Sequence, residues 1–375
     1  MKVARMKLWA VALGCVACGE APDRAADPVP RGVMPMSIGA TPPAVRQYRA
    51  GRTPDSVVVD GQLTEVTWQS ASWSEPFVDI LGDRGAQPQW TTRVALAWDD
   101  QALYIAARLE EPHLWATITQ HDAVIFQDND FEVFLDPDGD THRYYELEIN
   151  ALGTVWDLFL DRPYRDGGRA LDEWDIDGLR SAVALSGTLN DPADVDSGWT
   201  VELALPWIGL RQPGGPVERR PEDGDNWRVN FSRVEWELTP GSMGYAKTTM
   251  PDGSLLPEKN WVWSPQDAIN MHMPEMWGMV EFRDAVAGSE EAGLRPMEDE
   301  AVRWSLRRVY YAQRQYHDIH GKFAATLEDL GLGDLDITLV TQGDTATSYR
   351  ATGLGMSTQW NIDHTGRLVP APGGE

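Results

Sequence analysis

Cysteine and basic residues are scarce in this chain of 375 residues. The only two cysteines, Cys15 and Cys18, lie near the N-terminus, so the residues that follow can form neither an internal disulfide nor a cysteine-based metal site. Lys and Arg together number 32 against 58 Asp and Glu, which gives a formal net charge of −26. Because phosphate binding needs clustered Lys and Arg, we expect no nucleic-acid partner.

Enzyme motifs are also missing. The sequence contains no Gly-x-Ser-x-Gly, no His-Glu-x-x-His, no phosphate loop and no dinucleotide-binding glycine pattern. The seven His are scattered, and although His113 and His121 could meet, surface or core positions explain them more simply. These absences favour a non-catalytic protein.

The N-terminus is typical of a bacterial lipoprotein. A basic start is followed by an apolar run that is too short for a stable transmembrane helix. The run ends at two cysteines, and the residues before each resemble the bacterial lipobox. We expect a signal peptide at 1–18, lipidation of Cys18 with Cys15 as the alternative, and a flexible tether rich in Pro, Ala and Asp at 19–49. An ordinary cleaved leader is the competing interpretation.

From about residue 50 to residue 284 the pattern is that of many short β-strands separated by Gly, Pro and Asp turns. No helix-period pattern lies between them, which predicts an antiparallel sandwich rather than a parallel α/β sheet. The expected strands are 56–60, 93–98, 103–109, 131–135, 145–150, 154–160, 181–188, 199–205, 226–236 and 277–282.

Four segments resemble family 9 carbohydrate-binding modules. Residues 60–68, DGQLTEVTW, are similar to the opening of the family's sandwich. The segments 98–106 (WDDQALYIA), 128–137 (DNDFEVFLDP) and 198–207 (GWTVELALPW) resemble its next hairpin, its central strand and a late strand. The resemblance covers about 56–282 and implies a mainly β fold, an antiparallel β-sandwich of the carbohydrate-binding, DOMON-like type. It is closest to a bacterial lipoprotein subgroup, and it leaves the sugar open.

Two acidic clusters are candidate calcium sites. Calcium takes six to eight oxygen ligands, which closely spaced carboxylates and loop carbonyls can supply. The candidate ligands are Asp136, Asp138 and Asp140 in the first cluster and Asp172, Asp175 and Asp177 in the second. A solvated turn is the alternative for each. The family resemblance also implies structural calcium, so calcium is the expected cofactor.

Sugar binding needs flat aromatic faces framed by polar groups. Of the 17 Trp, 14 lie between Trp68 and Trp277, and we expect about two thirds of these to be core residues. The candidates near loops and strand edges are Trp115, Trp156, Tyr164, Arg165, Trp174, Trp261 and Trp263. Family 9 modules clamp a terminal sugar between two Trp, and the candidates for that pair are Trp115 and Trp261.

After a Gly/Glu-rich linker at 285–300, residues 301–375 are expected to form a small α+β domain. One helix is predicted at 298–316, a short second helix from 323, and two or three strands at 337–341, 348–352 and 358–363. Parts of 311–330 resemble the soluble head of type IV pilin-like proteins, but the long apolar helix of pilins is missing. The expected role is therefore docking to a protein partner or packing on the sandwich.

The sequence thus predicts a lipid-anchored protein of the bacterial cell envelope, at the outer membrane or cell surface. Its sandwich binds oligo- or polysaccharide without catalysis and serves carbohydrate breakdown or capture. The alternative is a glycoside hydrolase, although with 58 acidic residues a pair of carboxylates is always findable. A third alternative is a DOMON-like electron-transfer module, for which Met271, His272 and Met273 are the only hint of haem ligands.

Overall fold

A computed structural model of the chain describes residues 39–213, 220–242, 244–289, 299–343, 346–356 and 358–371. The expected signal peptide, both lipidation candidates, most of the expected tether and the central part of the linker lie outside these residues. Among the described residues, no helix combines the length and the apolar character needed to cross a membrane.

The main domain consists of fifteen strands and one short helix, α1 (Val66–Ser70). The strands are β1 (Gln47–Arg52), β2 (Val78–Asp79), β3 (Thr92–Trp98), β4 (Ala102–Glu110), β5 (Asp130–Asp136), β6 (Tyr144–Asn150), β7 (Val155–Leu160), β8 (Ala170–Leu171), β9 (Arg180–Ser186), β10 (Gly198–Pro206), β11 (Asn226–Glu235), β12 (Leu238–Gly241), β13 (Gly244–Lys247), β14 (Lys259–Val262) and β15 (Gly278–Val286).

The strands form a sandwich in which β1 connects the two layers. One layer has the order β8-β7-β6-β5-β11-β15, and the other has the order β3-β4-β10-β9. Strand β1 pairs in parallel with both β15 and β3, whereas the pairs within each layer are antiparallel. The apolar faces of the layers meet in one large core, to which Leu96, Ile105, Val133, Leu147 and Phe231 contribute. The expected antiparallel sandwich is confirmed.

The start of the domain differs from the prediction. Strand β1 begins at Gln47, inside the expected tether, and no strand forms at 56–60. The backbone amides of Asp60 and Gly61 instead donate to the carboxylate of Glu202, at 2.9 and 3.0 Å. The indole of Trp68 donates to the same carboxylate at 2.6 Å. These amides are therefore occupied by a side chain rather than by a neighbouring strand.

The tail contains one long helix and a four-stranded antiparallel sheet. The helix is α2 (Glu300–His320), and the strands are β16 (Ile337–Gln342), β17 (Ser348–Leu354), β18 (Gln359–Asp363) and β19 (Leu368–Pro370). The predicted second helix is reduced to a 3₁₀ turn at Glu328–Leu330. One reason is that the amide group of Gln313 bonds both backbone groups of Ala324, at 2.8 and 3.0 Å, and so prevents them from joining a helix.

Candidate functional site

Four carboxylates lie on the face of β5 and β6 that points away from the sandwich core. They belong to Asp130, Glu132, Glu146 and Glu148, and we call this surface the carboxylate face. Side chains alternate along a strand, so Phe131 and Val133 enter the core while their acidic neighbours take the other side. All four acidic residues are nevertheless buried, because loops and the neighbouring strands cover them.

Strand register places one row of side chains across four strands. Glu132 lies opposite Glu148 of β6 and, on its other side, opposite Ser232 of β11. Trp156 of β7 lies opposite Glu148 and completes the row. Paired residues of adjacent strands present their side chains on one face, so two carboxylates meet directly between a hydroxyl and an indole.

The hydrogen bonds of this face are incomplete among the described residues. Asp130 accepts from the backbone amide of Val234 at 3.2 Å, and Glu148 accepts from that of Phe126 at 2.9 Å. One buried oxygen each of Asp130 and Glu132 has no hydrogen-bond partner in the described part of the chain. A buried oxygen without a partner costs free energy that folding must offset elsewhere.

Burial raises the pKa of all four carboxyl groups. The pKa of Glu132 is raised to about 7. The pKa values of Asp130, Glu146 and Glu148 are raised well above their usual range, first by burial and then by repulsion from neighbouring carboxylates, Glu132 foremost. Burial at this face therefore favours the neutral forms of the four carboxyl groups, and a bound cation would favour their charged forms.

Two partly exposed aromatic residues border the carboxylate face. The indole Nε1 of Trp156 is buried and has no hydrogen-bond partner among the described residues. Tyr164 packs, like Trp156, against the buried cluster that contains Phe134 and Tyr144, and burial and the charges of Glu146, Asp172 and Glu148 raise its pKa. These are the two predicted sugar-binding residues that the structure brings together at this face.

Three other predicted stacking residues belong to the core instead. Trp261 and Trp263 are 2% and 1% exposed and lie in the main core. Trp115 is 7% exposed and packs with Val234 and Trp236. A sugar ring cannot stack on a covered indole, so the predicted clamp of Trp115 and Trp261 is wrong. The physical reason at 261 is that β14, absent from the prediction, pairs with both β11 and β2.

The two remaining candidates are engaged in internal contacts. The side chain of Arg165 is 8% exposed and forms an ion pair with Glu275 at 2.9 Å. It also donates to the backbone oxygen of His272 at 3.2 Å. Trp174 is partly buried and stacks on Tyr145 with ring centroids 5.2 Å apart. Arg165 therefore connects the sandwich to neighbouring segments, and one face of Trp174 is already covered.

The Asp136–Asp138–Asp140 turn brings its three carboxylates together. One oxygen from each lies within 4.8 Å of the others. Asp136 accepts from the amides of Gly139 and Thr141 at 3.0 and 2.9 Å. Arg367 of the tail donates to Asp140 at 2.8 Å and so already supplies a positive charge. The donor set suits calcium, but part of its charge is balanced within the chain.

The second predicted cluster does not assemble as predicted. Asp175 joins His121, Asp122 and Asp157 in a group with ligand atoms within 4.8 Å of one another, and neither Asp172 nor Asp177 belongs to it. His121 contacts Asp175 at 3.1 Å and Asp122 at 3.4 Å. Burial alone would lower the pKa of His121, but the hydrogen bond to Asp175 and the nearby carboxylates raise it. The neighbouring carboxylates therefore favour the protonated form of His121.

The Met271–His272–Met273 segment does not present a pair of haem ligands. His272 lies against Tyr164, with ring centroids 4.5 Å apart, and its Nδ1 is hydrogen-bonded with the Tyr144 hydroxyl at 2.9 Å. Met273 is buried in a different cluster, together with residues of the tail. The side chains of His272 and Met273 therefore pack in separate clusters.

Two surface cavities lie away from the carboxylate face. One, of about 350 Å³, is lined by Arg93, Arg108 and Glu110, and its only aromatic residue is the buried Trp199. The other, of about 580 Å³, lies beside α2, where Trp304 and Tyr311 are also buried. Neither cavity offers an exposed ring face, so neither matches the expected chemistry as well as the surface near Trp156.

The carboxylate face itself was missed by sequence reasoning. The alternation in DNDFEVFLD and YYELEIN placed the acidic residues on one side of each strand. That signal was available, but the pairing of Glu132 with Glu148 depends on the hairpin register, which the sequence pattern leaves open.

Comparison with known proteins identifies a family for the main domain. The model of the family described as "Carbohydrate family 9 binding domain-like" matches residues 59–283. No curated protein matches the sequence.

Similar solved structures include a family 9 carbohydrate-binding module from Caldicellulosiruptor kristjanssonii in complex with cellotriose, at 16% identity and a TM-score of 0.40. The match covers 67% of this chain and 100% of that one. A putative carbohydrate-binding protein from Bacteroides uniformis has 15% identity and a TM-score of 0.47, with 64% and 100% covered. Because the family model spans more than half of the chain, this protein belongs to the carbohydrate family 9 binding domain-like family.

Proposed function

We propose that the sandwich binds oligo- or polysaccharide without cleaving it, at the rim of the carboxylate face. The observation that carries the proposal is that Trp156 and Tyr164, both partly exposed, border this face together. Aromatic faces stack on the C–H-rich faces of sugars, so these two rings can supply a stacking surface. Membership of the family supports the same ligand class.

Substitution of Trp156 tests this proposal. Trp156→Ala should weaken binding of a glycan identified on an array by about 1–3 kcal/mol, the range expected for a lost aromatic contact. Trp73→Ala is the matched control, because Trp73 is also partly buried but lies beside Arg108 on the other layer. Equal losses in the two variants, or no glycan bound by the wild type, would refute the site.

An assay for reducing ends on the same purified protein distinguishes binding from hydrolysis. We expect no release of reducing ends from a bound glycan. Release that disappears in the Glu132→Gln variant would replace the binding function with that of a glycoside hydrolase, since burial raises the pKa of Glu132 to about 7, which suits a general acid.

The proposal includes a lipid anchor in the bacterial cell envelope, at the outer membrane or cell surface, where captured sugar would serve carbohydrate breakdown. The lipobox-like residues before Cys15 and Cys18 support it. Protein expressed in a bacterium should take up labelled palmitate, and replacement of both cysteines with Ser should abolish the label. Persistent labelling of the double variant would exclude these two positions.

Calcium at the Asp136–Asp138–Asp140 turn is the cofactor part of the proposal. The close approach of three carboxylate oxygens supports it. Because a ligand that binds only the folded state raises stability, calcium should raise the melting temperature of the chelated protein. Asp138→Ala should reduce that rise, and an unchanged rise would remove this turn from consideration. For the tail, the contacts with Asp140 support docking on the sandwich ahead of a separate protein partner.

A further inference from the structure

The charges of the carboxylate face are not balanced by the described part of the chain. Glu132 and Glu148 lie directly opposite each other, and none of the four carboxylates forms an ion pair with a described Lys, Arg or His. Like charges in directly opposed positions destabilise a sheet, and each buried charge without a partner costs several kcal/mol. Such an arrangement calls for protons or for a cation from outside the chain.

Lys247 is one candidate for an internal cation, but its ammonium group is engaged in other contacts. The ammonium group of Lys247 lies 3.4 Å from the centre of the Trp236 ring and donates to Gln127 at 3.2 Å. The charges that act on it are those of Asp128 and Glu258, which lie outside the four carboxylates. Lys247 therefore does not neutralise the face.

The spacing of the oxygens is that of a cation's ligands. One carboxylate oxygen from each of Asp130, Glu132 and Glu148 lies within 4.8 Å of the other two. Two oxygens bound to one calcium ion at about 2.3–2.6 Å each lie at most about 5 Å apart. The three oxygens are therefore close enough for small side-chain movements to bring them to a single ion.

A second and independent observation comes from Ser232 on the neighbouring strand. This residue is fully buried and lies opposite Glu132 on the same face. Its hydroxyl satisfies the geometry of a hydrogen bond with no described residue. A buried hydroxyl opposite Glu132 without a hydrogen-bond partner is available as an additional oxygen ligand.

We propose that the carboxylate face holds a divalent cation of the calcium type, bound by Asp130, Glu132 and Glu148 with Ser232 at its side. The site is distinct from the Asp136–Asp138–Asp140 turn, which Arg367 partly neutralises. Cation binding at this site requires no sugar, so it can be tested independently of the proposed carbohydrate binding.

The experiment compares the wild-type chain with Glu132→Gln and the control Asp138→Asn, all first stripped with chelator. Calcium is titrated by calorimetry, and terbium luminescence, which nearby Trp156 can sensitise, reports the local site. Glu132→Gln should lose one calcium equivalent, or bind it at least tenfold more weakly, and should lose the terbium emission. Asp138→Asn should keep the terbium emission and the calcium equivalent of the face, and the one equivalent that it can lose is that of the turn.

The melting temperatures of the calcium-free proteins give a second test of the proposed site. Without calcium, Glu132→Gln should melt at or above the wild-type temperature, because it removes repulsion and keeps the side-chain volume. Should it fail to fold, Ser232→Ala supplies the test and is expected to weaken calcium binding several-fold. Identical calcium and terbium binding by the wild type and the folded variant would overturn the proposal. So would a wild type that binds no calcium at this face, since protons alone would then neutralise the carboxylates.

Discussion

His272 should make the protein less stable as the pH falls below 7. Its ring is partly buried against Tyr164 and is hydrogen-bonded with Tyr144. Burial, together with the positive charge of Arg165, lowers the pKa of His272 from 6.5 to about 3. Between those values the unfolded chain binds a proton that the folded chain does not, so acid favours unfolding.

The expected loss is large enough to measure at mild pH. Between pH 7 and pH 5, an imidazole with an unfolded pKa of 6.5 contributes a loss of about 2 kcal/mol in the free energy of unfolding. This amount is nearly the same for any folded-state pKa below about 4, so the residual exposure of the ring hardly changes it. The window also avoids pH values at which many carboxylates titrate together.

Urea unfolding of wild type and His272→Gln at pH 5, 6 and 7 isolates this contribution, because both proteins share the other titrating groups. The difference in unfolding free energy between them should change by about 2 kcal/mol across the series. Tyr144→Phe is the control, since it removes the hydroxyl partner but keeps the imidazole, and should retain the wild-type pH dependence. Parallel curves for wild type and His272→Gln would refute the assigned environment of the ring.

Two further predictions concern packing and the tail. Trp261→Ala should destabilise the protein by about 3–5 kcal/mol in denaturant unfolding, because it leaves a cavity in the main core; a change below about 1 kcal/mol would show that the indole is not buried. Arg367→Ala should cost about 1 kcal/mol, and Asp140→Asn added to it should cost little more, because the ion pair is already broken. Additive losses in that double-mutant cycle would mean that the two side chains do not interact.

Local patterns predicted the long strands well. The alternation of apolar and polar residues around Val133, Leu147 and Val201 marked three strands that the structure contains within a residue or two of the expected ends. The helical spacing of Leu306 and Val309 likewise marked α2. In these elements the buried face repeats with the period of the backbone, so the pattern is sufficient.

Such patterns did not predict the short strands or the tertiary hydrogen bonds. Strand β14 has four residues, and only its pairing with β11 and β2 explains why Trp261 is covered. At the end of the predicted strand 56–60, a distant carboxylate, that of Glu202, binds the amides of Asp60 and Gly61 in place of a neighbouring strand. The burial of Trp261 and the absence of a strand at 56–60 depend on residues more than 100 positions apart or on strand register. Neither produces a periodic pattern in the sequence.

The carboxylate face and the acidic turn differ in how their charge is balanced. Backbone left-handed conformations at Gly139, Thr141 and Arg143 are unfavourable for the last two residues, so tertiary contacts must hold this turn in shape. The tail supplies such contacts: Arg303 donates to the carbonyl of Gly139 at 3.0 Å, and Arg367 supplies the charge. The carboxylate face receives no comparable cation from the described residues. A cation bound at the face would supply the missing charge there, whereas loss of the tail's arginines should act mainly through the turn.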